Sequence, residues 1–333
     1  MKQIIIDQKD SEQRVDKYLQ RILPNAGKSF LYKMMRKKNI VLNDKSIKGN
    51  EIIKKDDVLK IWFSDETYEK MSAVQNTFDI DEWLRAYRSL KGIKVEYEDD
   101  DHIVLYKPAG ILTQKAVPGD LSLNEWLLGY LYDDHKIDED SLKTCKPSVT
   151  NRLDRNTSGL VLAGKTLFGI NTFTGMIKDH KIRKFYNAYV KTGLPDSGHL
   201  IGYLKKNRDH NISEVIDSDH FSSLSDKAKE GYERIETKYN ILGSTYIPKA
   251  NTTLSLLNIE LLTGKSHQIR AQFASLGYPL AGDMKYGDSE FNKMLGLNSQ
   301  LLHAYRIVMP ADDKLGDLSG KTIDCSINIR SLI

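Results

Sequence analysis

Between Arg14 and Leu23 the apolar residues Val15, Tyr18, Leu19, Ile22 and Leu23 recur at helical spacing, and Pro24 stops the pattern, so a short amphipathic helix is expected. A second helix is expected from about Ser29, a residue suited to capping, with Phe30, Leu31, Met34 and Met35 on one face and Lys33, Arg36 and Lys37 on another. Two apolar runs follow and read as strands: NIVLN before an Asn43-Asp44 turn, and VLKIWF after Asp56-Asp57. Residues 69–93 are mixed and polar, with one helical stretch near DEWLRAYRSL, and read as a connector. From Lys94 onward strand-like segments recur: VEY, HIVLY before a Lys107-Pro108-Ala109-Gly110 turn, GLVLAG, KFYNAYVKTG and TTLSLLNIELLTG. In the last, Leu257, Ile259 and Leu261 alternate with Leu256, Asn258 and Glu260, the pattern of a strand with one buried face. Residues 205–230 are rich in Asp, Lys, Ser and His and read as an exposed loop or lid. The pattern predicts an α+β protein: a largely antiparallel or mixed sheet over residues 94–333, preceded by a small α/β module over residues 1–68.

Composition narrows the class. With 40% hydrophobic and 28% charged residues the chain can bury a sizeable core, which excludes a disordered or fibrous protein. No apolar run is long enough to cross a bilayer, and the start MKQIIIDQKD is too short and too charged for a signal peptide, so a cytoplasmic protein is expected. The two cysteines, Cys145 and Cys325, lie far apart and outside any paired spacing, so neither a disulfide framework nor a thiolate metal site is expected. Nothing in the chain calls for an obligate protein partner, and a monomer is expected. The net charge of +4 becomes informative once it is located. Residues 1–70 hold 16 Lys and Arg against 11 Asp and Glu, an excess of +5, and the remainder holds 33 against 34. That asymmetry favours a polyanion-binding N-terminal module over a merely soluble basic surface.

Four segments carry candidate chemistry. In NRLDRNTSGLVLAG a polar loop at Asn151 to Ser158 runs directly into an apolar strand, a setting from which Asp154 can project into a cleft with Arg152 and Arg155 beside it. On this segment alone, an Asp capping a surface turn is the commoner outcome. In LLTGKSHQIRAQFASLG a strand ends at Thr263-Gly264, and Ile269, Phe273 and Leu276 mark a helix stopped by Gly277. An Arg in the first turn, here Arg270, opposes the helix dipole, which points to a carboxylate partner or an anionic ligand. In KFYNAYVKTG, Phe185 and Tyr186 fall on opposite faces, so that one can pack in the core while the other faces a site. In YPLAGDMKYG, Asp283 and Tyr286 can line a cleft or simply hold a turn.

Taken together, KPAG at 107–110, RLDRNTSGL at 152–160, YNA at 186–188, TGKSHQIR at 263–270, GDMKYG at 282–287 and LHA at 302–304 resemble the RluA family of pseudouridine synthases in order and spacing. Likewise RVDKYLQRIL, KSFLYKMMRKKNIVLND and IKKDDVLKIWF resemble the S4 RNA-binding domain, whose second helix and following hairpin form its RNA surface. The first resemblance implies that Asp154 is the catalytic aspartate, that Arg270 is its ion-pair partner and that Tyr186 stacks on the target uracil. It also implies that Arg152 fills the space left when the uridine leaves its helix. The second assigns phosphate contacts to Lys28, Lys33, Arg36, Lys37 and Lys38, contacts that carry no base specificity. One departure stands out. The family commonly reads HRLD, and Asn151 replaces the His here, so altered packing of the loop is expected with activity retained.

The implied reaction suits these residues. Breaking the bond from sugar C1' to uracil N1 and rejoining C1' to C5 gains and loses no atom. A carboxylate can serve as nucleophile or stabilise charge at the sugar, so neither a metal nor an organic cofactor is expected. A guanidinium beside Asp154 would favour its ionised form. A paired uridine must flip out to be reached, at a cost of roughly a few kcal/mol that phosphate contacts offset. RNA is therefore the expected partner, with large-subunit ribosomal RNA favoured over transfer RNA. Three other readings remain open at this point. Gly159 to Thr166 satisfies the phosphate-loop pattern, although its spacer LVLA looks like strand. Ser158, His267 and Asp283 form a conceivable triad without a nucleophile elbow. A non-catalytic RNA-binding or ribosome-assembly factor on the same fold is the third.

Overall fold

The computed structural model describes residues 1–72, 78–207, 212–325 and 327. The N-terminal part pairs two helices, Val15–Ile22 and Lys28–Arg36, with a four-stranded antiparallel sheet. That sheet runs Lys2–Ile5, Val58–Ile61, Ile40–Leu42, Lys45–Ser46. Its own core is built from Val15, Leu19, Leu31, Met35, Ile40, Leu59 and Ile61. Asn43 and Asp44 both hold positive φ, as a tight hairpin with right-handed twist requires. The second helix starts a little earlier than Ser29 suggests. Gly27, in extended conformation, is its cap, and the Gly27 carbonyl already accepts from Phe30 and Leu31. Lys28, Lys33, Arg36, Lys37 and Lys38 are all exposed along this helix and the turn after it.

The larger part is an α+β unit built on a mixed sheet of eleven strands among the described residues. From the edge inward its order is Ile212–Ile216, Ser197–Asn207, Tyr232–Ile247, Thr252–Leu261, Arg183–Lys191, Leu302–Val308, Ser158–Gly164, His102–Lys107 and Lys94–Glu98. Two short strands, Ser148–Val149 and Thr322–Asp324, pair alongside. Every strand pairing in this sheet is antiparallel except that of Ser158–Gly164 with Leu302–Val308. The parallel junction is only two residues long, Ser158 opposite His303 and Gly159 opposite Ala304. Gly159 is needed there: its φ is 123°, and a Cβ would fall 2.2 Å from the Ala304 carbonyl oxygen.

Both faces of the sheet centre are covered, which is why GLVLAG reads as an unbroken apolar run. Ile103, Leu105, Val161 and Ala163 pack on one face with Leu127 and Leu131 of the Leu123–Asp133 helix and Ile269 and Phe273 of the Gln268–Ser275 helix. Val104, Leu160 and Leu162 pack on the other with Phe173 and Met176 of the Leu167–Lys178 helix. The single buried face expected for SLLNIELL is corrected at its start: Leu256, with Leu254 just before the segment, is buried on the opposite side with Ala281 and Leu295. Within residues 69–93, the helix Ile80–Ser89 buries Trp83 and Ala86. Gly129 makes room for it, since a Cβ there would lie 2.2 Å from the Trp83 carbonyl oxygen.

The polar segment 205–230 is not a loop. The strand Ile212–Ile216 extends the sheet as its edge, and two short helices, Ser218–Ser223 and Asp226–Lys229, follow; residues 208–211 lie outside the described set. An edge strand leaves most of its side chains in water, so its alternation is masked in the sequence. Only Ser213 and Ile216 of this strand are buried. The Phe221 ring stacks on Tyr203 with centroids 3.6 Å apart. Among the described residues no helix is long and apolar enough to cross a membrane. Cys145 and Cys325 are unpaired and half-buried.

Candidate active site

Asp154 sits in the loop that feeds the strand Ser158–Gly164, and that loop is tied down residue by residue. Asn151 Oδ1 accepts the Leu162 N–H at 2.7 Å, and the Thr150 N–H donates to the Leu162 carbonyl at 2.8 Å. The Asn side chain thus takes the N–H left over where the main chain departs from the ladder, and so anchors the loop. Next, Leu153 is in the core, and Thr113 Oγ1 both donates to its carbonyl (2.8 Å) and accepts its N–H (3.1 Å). Past Asp154, the Thr157 N–H donates to the Asp154 carbonyl at 3.0 Å.

The KPAG segment supports the same loop. Lys107 is fully buried, and its ammonium donates to the carbonyls of Pro108 (2.9 Å), Ile111 (2.8 Å) and Arg155 (3.1 Å). Burial pushes this lysine down to about 7, against the opposing pull of the Asp154 charge. Arg155 closes the connection: its Nε donates to the Gly110 carbonyl, and its own carbonyl accepts the Gly110 N–H.

Arg270 projects from the first turn of the Gln268–Ser275 helix and resolves the question raised by its position. Its Nη1 donates to Asp154 Oδ2 at 2.7 Å, while Nε and Nη2 fork onto Asp283 at 2.7 and 2.9 Å. Asp283 is fully buried, and its Oδ1 also accepts the N–H groups of Lys285 and Tyr286. Burial alone would raise the Asp283 carboxyl, but the Arg270 fork and those two N–H groups hold it below its ordinary value. The GDMKYG turn that carries Asp283 is tightly packed at both of its glycines. A Cβ on Gly282 would fall 2.0 Å from the Ser299 carbonyl oxygen, and one on Gly287 2.3 Å from that of Asp283. Asp154 Oδ1 has no partner among the described residues.

Asp154, Arg270, Tyr186 and Arg152 line one cleft of about 1030 Å³. Its charged lining is lopsided. Arg152, Arg155, Lys178, Lys184, Lys206, Lys265, Arg270 and Lys285 face a single carboxylate, Asp154. Arg152 is exposed, whereas Tyr186 is 6% exposed and reaches the cleft from the sheet. Burial, with the Asp154 charge, raises the Tyr186 phenol, so it stays protonated near neutral pH. Phe185, on the opposite face, is half-buried beneath Arg183 rather than in the core. His267 caps the Gln268–Ser275 helix at φ 58°, with Nδ1 2.9 Å from Tyr286 Oη and Nε2 3.8 Å from Asp154 Oδ2.

Lys28, Lys33, Arg36, Lys37 and Lys38 do not line this cleft. What sequence reasoning missed is the pairing of Asp283 with Arg270, the support from Lys107 and Thr113, and the cations Lys178, Lys184, Lys206 and Lys265. The fully buried Asp283 lay inside a motif already singled out, but no local signal names its partner.

Two of the other readings fail on geometry. Gly159 to Gly164 is a central strand paired with His102–Lys107, and Lys165 Nζ donates to Glu98 and to the Asp99 carbonyl, so no phosphate loop forms. Ser158 Oγ lies 2.9 Å from His303 Nδ1, while Asp283 is occupied by Arg270, so the triad does not assemble.

An anchored carboxylate, fixed by a guanidinium in a cationic cleft, defines an enzyme acting on a polyanion. The family described as RNA pseudouridylate synthase matches residues 101–275, more than half of the chain, and the chain belongs to that family. It is thus an RNA isomerase that converts uridine to pseudouridine. The chain is 28% identical to the ribosomal large subunit pseudouridine synthase C of Haemophilus influenzae, over 92% of this chain and 86% of that protein. It is 27% identical to an uncharacterized RNA pseudouridine synthase of Bacillus subtilis, over 94% and 91%. Among solved structures, human RNA pseudouridylate synthase domain containing 1 has the same fold, with a TM-score of 0.54 at 18% identity, covering 72% of this chain and 84% of that one.

Proposed function

We propose that this chain isomerises specific uridines of large-subunit ribosomal RNA, with Asp154 as the catalytic carboxylate. The observation that carries the reading is the lone Asp154 carboxylate, gripped by Arg270 at 2.7 Å, in a cleft whose other charged lining is seven further Lys and Arg side chains. Phosphates of a folded RNA meet the cations, and the flipped uridine brings its C1' to the unpartnered Oδ1. Tyr186 stacks on the uracil while the base turns, retaining it between cleavage from N1 and rejoining at C5. Arg152, exposed at the same cleft, fills the gap left in the RNA helix. Residues 1–68 act as an S4-like RNA-binding module through Lys28, Lys33, Arg36, Lys37 and Lys38. Residues 69–93 connect it to the catalytic domain at 94–333, and the protein works as a cytoplasmic monomer. The Haemophilus influenzae relative, a ribosomal large subunit pseudouridine synthase, favours a ribosomal target over transfer RNA.

The test is release of tritium from C5-labelled uridine in unmodified ribosomal and transfer RNA, comparing wild type with Asp154→Asn. The C5 hydrogen leaves to solvent when C1' is joined there, so release reports the chemistry directly. Release by wild type from large-subunit RNA and none by the variant is expected. Release from transfer RNA alone would move the target, and tight RNA binding without release from either would favour an assembly factor on the same fold.

A further inference from the structure

Beside Asp154 the site holds a second polar group that the reaction as described leaves unused. The Tyr286 hydroxyl oxygen accepts the Ser213 N–H at 2.7 Å and lies 2.9 Å from His267 Nδ1. Tyr286 has one proton to give. Ser213 meets its oxygen through the N–H and the side chain, and the Ser213 hydroxyl already donates to the Ser266 carbonyl, so His267 Nδ1 at 2.9 Å is the acceptor that completes the set. If Tyr286 donates there, the imidazole proton sits on the other nitrogen, Nε2, which faces Asp154 Oδ2 at 3.8 Å. Protein hydrogen bonds at catalytic groups often stand long before substrate arrives and tighten in the complex.

We propose that His267 is a positioning residue for Asp154, held by Tyr286 as the Nε2–H tautomer so that it and Arg270 both donate to Oδ2 and leave Oδ1 for the sugar. This rests on the role proposed for Asp154. The setting also depends on the edge of the sheet. Ser213 belongs to the strand Ile212–Ile216, and its Oγ donates to the Ser266 carbonyl at 3.0 Å, directly before His267. The hairpin that this strand forms with Ser197–Asn207 carries Lys206, another residue of the cleft. Lys206 lies opposite Ser213 in that pairing, so the cleft cation and the N–H that meets the Tyr286 hydroxyl share one edge of the sheet.

The surroundings agree with a neutral ring. Burial lowers the His267 ring below its ordinary value, and Arg270, Lys285 and Lys206 push the same way against the opposing charge of Asp154. The backbone of His267, at φ 58°, is in a conformation that non-glycine residues seldom adopt.

The tautomer is read first, by long-range proton–nitrogen correlation on RNA-free protein, with the His267 signals assigned by their absence in His267→Gln. Wild type should show the Nε2–H form, and Tyr286→Phe, which loses the donor, a mixture of both. An Nδ1–H form in wild type overturns the proposal whether or not any RNA is turned over. Single-turnover tritium release is read second, alongside RNA affinity. His267→Ala should slow the chemical step by about tenfold or more, with RNA affinity within about twofold, because only a donor to a charged group is lost. His267→Gln, which returns an N–H near the Nε2 position, should recover most of the rate. Full speed in His267→Ala, or a loss that Gln fails to restore, sinks the idea. Failure of wild type to release tritium from any RNA would instead count against the role of Asp154, while the tautomer still decides the hydrogen bonding.

Discussion

Replacing Asp283 with Asn keeps the shape of the side chain and removes its charge, which makes it the sharpest probe of how the site is held. The Asn oxygen could still accept from Lys285 and Tyr286, as Asp283 Oδ1 does now. Its amide would then face Arg270 Nε, donor against donor, where Oδ2 now accepts at 2.7 Å. Breaking one side of a buried ion pair costs about 3–5 kcal/mol, because the remaining charge is stranded. For a unit of this size, roughly 2–4 °C per kcal/mol converts that into a melting point lower by about 6–20 °C at pH 7. Activity should fall as well. With its fork gone, Arg270 no longer holds Asp154 to one position, and a displacement of about 1 Å at a reacting group can cost about 100-fold. The pH dependence has a definite sign. Asp283 is held below 3.8 in the folded protein, so its contribution is complete above that value and is lost as pH falls through the folded value. The gap in melting point between wild type and Asp283→Asn should therefore persist from pH 7 to pH 5 and narrow only below about 3.8. Differential scanning calorimetry across that range measures it. A gap under about 2 °C at pH 7, or one that closes well above pH 4, would refute the reasoning.

Gly159→Ala should cost roughly 3 kcal/mol or more, seen as lost soluble expression or a much lower melting point, because its Cβ would meet the Ala304 carbonyl oxygen at 2.2 Å. Asn151→Ala strands the Leu162 N–H and should cost about 1–3 kcal/mol by thermal melting, whereas Asn151→His, whose Nδ1 can accept the same N–H, should keep both stability and activity. Changing Lys178, Lys206 and Lys285 to Gln, all exposed cleft residues, should weaken RNA binding and lower the salt slope of log Kd by about 1 for each lysine that meets a phosphate. An unchanged slope in the triple variant would mean the cleft cations do not touch the backbone.

How much of this was legible in the sequence depends on the range of each interaction. Strands with both faces buried, such as Ser158–Gly164, announce themselves as apolar runs, and helices such as Val15–Ile22 through spacing and a following proline. The edge strand Ile212–Ile216 was hidden because water covers most of its side chains, and the Gly27 cap because Ser29 looks the better cap by composition alone. At the site, the helix dipole was enough to demand a partner for Arg270. It could not say that there are two. Asp154 and Asp283 reach the guanidinium from loops 116 and 13 residues away in the chain, and only the sheet brings them together. Lys107 was quoted as part of a turn, yet its ammonium bonds three carbonyls of the loops that present Asp154. Those contacts are set by tertiary placement and leave no local pattern.

One guanidinium between two carboxylates has a consequence for the substrate. Had Arg270 faced Asp154 alone, the pair would be neutral and the carboxylate's field at the sugar largely cancelled. Asp283 is fully buried and takes two of the three Arg270 hydrogen bonds, so it offsets the guanidinium charge from behind. The group of three carries a net negative charge, and the portion that faces the cleft is Asp154. Around it most of the other cleft cations, among them Arg152, Lys178, Lys206 and Lys285, are exposed and screened by solvent, while Lys184 is half-buried. They are suited to gathering a phosphate backbone from a distance. On the role proposed for Asp154, the cleft would separate two electrostatic tasks that otherwise compete, attraction of a polyanion at its surface and stabilisation of positive charge developing at C1' beside the half-buried carboxylate.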